Sequence, residues 1–133
     1  MAFLIDLTDD KFKIPANDAV IGFIRRTNPF AHSDVGDKLA QLGKAVPGAR
    51  RYCPSPRSSA YLALHTEANV IFALAFDMRN IAFRLPPDAL AESGGAPFLE
   101  IGEDWLCVDA FAPASAASLP RWCATAFGAA EHR

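Results

Sequence analysis

Apolar residues recur at every second position in four short stretches of this chain, and at every third or fourth position in three longer ones. The first pattern predicts strands, because successive strand side chains point to opposite faces; the second predicts helices that bury one stripe. The predicted strands cover residues 60–66, 70–76, 81–85 and 105–111, and the predicted helices 16–27, 33–42 and 118–130. Asn17 or Pro15 starts the first helix and Asn28-Pro29 stops it, since the residue before a proline is pushed out of the helical region. Ser33 is placed as N-cap of the second helix and Gly43 as its terminating residue. The last helix is capped by Ser118 and carries Leu119, Trp122, Cys123, Ala126, Phe127 and Ala130 as one apolar stripe. DMRN (77–80) reads as a four-residue hairpin loop, Pro86-Pro87 as the opening of a short helix, and Gly94-Gly95 as its end. Residues 3–7 read as a short strand or arm, and 45–59, with three prolines and three arginines, as a loop.

Counting by twos assigns the faces of the sheet. Leu62 and Leu64 oppose Tyr61, Ala63 and His65; Val70, Phe72, Leu74 and Phe76 oppose Ile71, Ala73 and Ala75. Ile81, Phe83 and Leu85 oppose Ala82 and Arg84, while Leu106, Val108 and Ala110 oppose Trp105, Cys107, Asp109 and Phe111. One face is therefore bulky, and the terminal helix with at least one N-terminal helix must cover it, a burial worth about 10 kcal/mol gross. The other face is lined with alanines and rimmed by polar and aromatic groups. It is either a ligand or partner surface, or a solvated face closed by the N-terminal segment or a second subunit. The expected architecture is α+β: a single antiparallel sheet of four to five strands with two N-terminal helices, one short crossover helix and a C-terminal helix packed on one face. Residues 1–133 form one domain, with 1–14 as a strand or arm.

Composition narrows the function classes. With 51% hydrophobic residues and ten Phe in 133, the chain can bury a core without staples. Thirteen basic against fifteen acidic residues give a net charge of −2, which disfavours nucleic acid and anionic membrane as partners. The start, MAFLIDLTDDKFK, has too short an apolar run for a signal peptide, and no stretch reaches the roughly 20 apolar residues of a membrane span. Cys53, Cys107 and Cys123 are odd in number and widely spaced, which fits reduced thiols and a cytoplasmic setting.

Chemistry-bearing positions are sparse. Tyr61, His65, Arg84, Trp105 and Asp109 share the alanine-lined face and form the candidate ligand or partner surface; His65 is the default acid–base group if Asp109 lies beside it. Arg50, Arg51 and Arg57 form a candidate anion site, because guanidinium groups recognise phosphate and carboxylate bidentately. Glu100, Glu103 and Asp104 decorate a turn and, without histidine neighbours, make a poor metal site. Phosphate-loop, dinucleotide, nucleophile-elbow and zinc-hydrolase motifs are absent from the sequence. No catalytic residue, metal or cofactor is assigned.

The order AVPGARRY, VIFALAF, IAFRLPPDAL and DWLCVDAF followed by a helix resembles the YjbR/MmcQ-like group, related in fold to the TfoX N-terminal domain. Phe72-Ala73, Pro87-Asp88 and Trp105 to Val108 stand at the places of the group's short motifs, over about residues 45–130; Val70 and Ile71 stand where the group has a lysine. The resemblance implies a small α+β domain that binds DNA or a protein, with no catalytic residues to carry over. The expected function is a cytoplasmic binding or interaction module for a protein or small molecule, with homodimerisation as one form. The alternatives are an enzyme or sensor using the alanine-lined face, and a weak nucleic-acid binder through the arginine loop.

Overall fold

The computed structural model describes residues 10–54 and 60–133, and the expected strand or arm at 3–7 lies outside them. Two 3-10 turns, Asp10–Phe12 and Pro15–Asn17, lead into helices α1 (Asp18–Thr27) and α2 (Ser33–Lys44). Strands β1 (Arg50–Tyr52), β2 (Leu62–His65), β3 (Ile71–Phe76) and β4 (Asn80–Arg84) follow, then α3 (Pro87–Ser93), β5 (Trp105–Asp109), α4 (Pro113–Ala116) and α5 (Leu119–Ala130). The strands form one antiparallel sheet in the order β1-β2-β3-β4-β5, so the expected α+β class is the observed one. Among the described residues no helix is long and apolar enough to cross a membrane.

Local signals mostly act as read, with instructive exceptions. α1 carries Asp18 in its first turn and Arg25 and Arg26 in its last, matching the helix dipole, and ends at Asn28 in the left-handed region (φ 46°). The α2 cap is His32 rather than Ser33: its Nδ1 accepts from the Asp34 N–H at 3.1 Å. Gly43 does not end that helix but lies inside it against Leu64, where a Cβ would come within 2.8 Å of a methyl group. β1 lies within the stretch expected to be loop. Phe76 pairs with Asn80, so the β3–β4 loop has three residues, with Asp77 at φ 58°. β5 stops at Asp109, where the backbone turns into the unforeseen α4.

The main correction concerns β3. Leu64 pairs with Ala73, yet His65 pairs with Ile71, so Phe72 is an extra residue bulged out of register. A bulge interrupts the period of two, and every side chain beyond it changes face. Ala73 and Ala75 therefore join Leu62, Leu64, Ile81, Phe83, Leu106 and Phe72 under α2 and α5. Leu74 and Phe76 turn to the opposite face, beside Tyr61, Ala63, Ala82 and Trp105. The other strands keep their counted faces.

No alanine-lined open face results. Val20, Ile21, Phe23 and Ile24 of α1, together with Phe12 and Ile101, cover the second face and make a second core. All six residues of β3 are buried, as befits a central strand covered on both sides. Asn17 pins this cover to the sheet: its amide donates to the carbonyls of Phe12 (3.0 Å) and Asn69 (2.9 Å), and its Oδ1 accepts from the Ile71 N–H (2.9 Å) beside the bulge. The architecture is three layers, helix–sheet–helix, with the sheet in the middle.

Candidate functional site

The five residues expected on one surface do not share one. Tyr61 and Trp105 are fully buried in the core beneath α1. His65 is also buried: its Nδ1–H donates to the Thr66 carbonyl at 2.8 Å and its ring meets Phe12 edge-on at 4.9 Å. Burial pushes its pKa below the ordinary value, and Lys11 and Arg50 push the same way, against the Thr66 carbonyl. Asp109 sits opposite Asn80, while His65 sits opposite Ile71, so the register places them at opposite ends of the sheet. Asp109 instead takes a bidentate contact from Arg79 Nε (2.9 Å to each oxygen), which with the Phe111 N–H holds its carboxyl below the usual range.

Arg84 is a structural bridge. Its Nε donates to Asp104 Oδ2 at 2.6 Å and its Nη1 to the Ala16 carbonyl at 2.8 Å, joining β4 to the approach of β5 and to the N-terminal cover. Of the arginines of the expected anion site, Arg50 and Arg51 both border one cleft beside α2. Arg50 and Arg51 are consecutive on β1, so their side chains leave on opposite faces, and Arg57 lies outside the described residues. Arg50 stands 3.7 Å from Glu67 in an exposed pair, and the cleft that it borders with Arg51 and Lys44 holds about 230 Å³. Burial pushes the thiols of Cys107 and Cys123 up to about 12, so both are protonated core groups at neutral pH. Among the described residues no group of three His, Cys, Asp or Glu side chains is placed to hold a metal ion.

A concavity lies elsewhere, between α3 and the segment that leads into β5. It encloses about 680 Å³ and is lined by Pro87, Leu90 and Ala91 of α3, Gly95 and Pro97 of the returning chain, and Glu103 and Asp104. Its shape follows from local chemistry. The two prolines stop β4 and start α3, and Gly94 ends the helix in the left-handed region (φ 75°). Ser93 then ties the exit, its hydroxyl donating to the Leu90 carbonyl (2.6 Å) and accepting from the Gly95 N–H (3.1 Å). A side chain at Gly95 would come within 2.7 Å of Leu106, so the backbone can pass close to the core only because that residue is glycine. The Phe98 N–H donates to the Trp105 carbonyl (2.7 Å), and the Leu85 N–H to the Asp104 carbonyl (2.8 Å), which fixes the far wall.

The groove is missed by motif reading because its walls are commonplace residues. Gly94-Gly95 reads as a helix stop and Glu103-Asp104 as a turn, both correct locally. The available signal is charge: residues 85–120 hold six acidic side chains and no Lys, Arg or His. Comparison with protein-family models, curated proteins and solved structures finds no match to this chain.

Proposed function

We propose that this protein is a non-catalytic binding module whose ligand seat is the groove between α3 and the 95–104 segment. The observation that carries this reading is the groove itself: about 680 Å³, walled mainly by apolar atoms and held by backbone hydrogen bonds on both sides. That volume lies in the range of small-molecule sites. Cytoplasmic residence is part of the proposal and draws support from the protonated core thiols of Cys107 and Cys123. So is kinship with the YjbR/MmcQ-like group, supported by the short motifs falling on β3, α3 and β5 ahead of a C-terminal helix.

A fragment screen followed by amide chemical shifts of the labelled protein tests the site. Bound fragments are expected to move the amides of Leu90, Ala91, Gly95 and Glu103. Ala91→Trp, an exposed wall position, should fill the groove and abolish these shifts while melting within about 0.5 kcal/mol of the parent. Fragments that cluster only elsewhere, or bind Ala91→Trp equally well, overturn the assignment.

A further inference from the structure

The two carboxylates of the groove differ in their surroundings. Asp104 is neutralised: Arg84 Nε lies 2.6 Å from its Oδ2, and the Arg133 guanidinium is near enough to feel both groups. Glu103 is exposed and, among the described residues, makes no ion pair. The remaining walls carry no charge, and the run of 36 residues from which all of them come contains no basic side chain. The groove thus offers an apolar slot with an exposed carboxylate at its rim that is in no ion pair among the described residues.

We infer that the groove takes a small organic amine, with its apolar body against Leu90 and Pro97 and its ammonium group at Glu103. An anionic ligand would be repelled by Glu103, and Arg84 is already held by Asp104 and by the Ala16 carbonyl, which leaves Arg133 as a cation near the Asp104 side of the groove. A neutral ligand would gain the apolar contacts alone. The ammonium adds a charge-assisted hydrogen bond at a partly solvated rim, a modest gain that selects a ligand class more than it creates affinity. The inference rests on the groove being the ligand seat and adds the chemistry of its occupant.

Three matched probes separate the two claims: 4-phenylbutylamine, 4-phenylbutanol and 4-phenylbutyrate, titrated at pH 7 and low salt against the labelled full chain. The amine is expected to shift the amides of Leu90, Gly95 and Glu103 and to bind about threefold or more tightly than the alcohol, with the acid weakest. Glu103→Gln, at an exposed position, should remove the amine's advantage and leave the alcohol unchanged. If the alcohol or the acid binds the groove as well as the amine, or if Glu103→Gln keeps the preference, the amine assignment is overturned and the groove remains the seat. If none of the three moves the groove amides, the seat falls with it.

Discussion

At the scale of single residues, Asn17 does more than its position suggests. As the residue before α1 it would be expected to cap the helix, yet its side chain makes no cap bond. It is fully buried and satisfies three backbone groups from two distant places in the chain, Phe12 and the 69–71 stretch. Removing it leaves the Ile71 N–H and two carbonyls without these partners. Asn17→Ala should therefore cost about 2–4 kcal/mol in chemical denaturation, given roughly 1–3 kcal/mol for each buried polar group left unsatisfied. A loss under about 1 kcal/mol would mean that the N-terminal cover is not held through this amide.

His65 carries the pH dependence of the same region. Its pKa in the folded protein is lowered from 6.5, so between the two values the unfolded chain binds a proton that the folded one refuses. Its contribution is complete above pH 6.5 and is lost as the pH falls through the folded value. Denaturation midpoints measured from pH 7.5 downward should fall below about pH 6.5, and His65→Gln should flatten that first decline. An unchanged slope in the variant would place the titration elsewhere.

At the scale of elements, β3 shows how one residue redistributes two cores. Phe72 meets Phe127 of α5 edge-on at 5.6 Å, whereas Leu74, two positions later, packs with the α1 side. Regular alternation would put both under the same helix. Phe72→Ala and Leu74→Ala should each cost about 2–5 kcal/mol. Hydrogen exchange should separate them: the first should speed exchange in α5, the second in α1. The same helix responding to both would contradict the bulge.

At the scale of the whole molecule, the chain is one sheet buried on both faces by helices drawn from its two halves, with a groove where α3 stands off the end of the sheet. The helices at 18–27, 33–44 and 119–130 were legible because their stripes repeat over three turns and their ends carry Asn28-Pro29 and Pro120. The faces of β2, β4 and β5 were legible because each is short and regular. The expected ligand surface was not, because the counted faces of Tyr61 and Trp105 left open whether the N-terminal segment covers them, and Phe12 with α1 does. Of the arginine cluster, Arg50 and Arg51 border one cleft with Lys44, and Arg57 lies outside the described residues.

The sequence by itself determined the longer helices, four of the five strands, the antiparallel α+β class and the side of most strands, since these follow from periodicity and from residues within a few positions of each other. Tertiary structure alone decided the bulge at Phe72, the closing of the second face by α1 and the groove beside Glu103. Each depends on pairings beyond the reach of a repeating pattern: Ile71 with Asn17 from the far end of the chain, Leu64 with Ala73 across a hairpin, Phe98 with Trp105 across a turn. Local patterns of polarity do not encode such distances, because they register whether a side chain is buried and not what buries it.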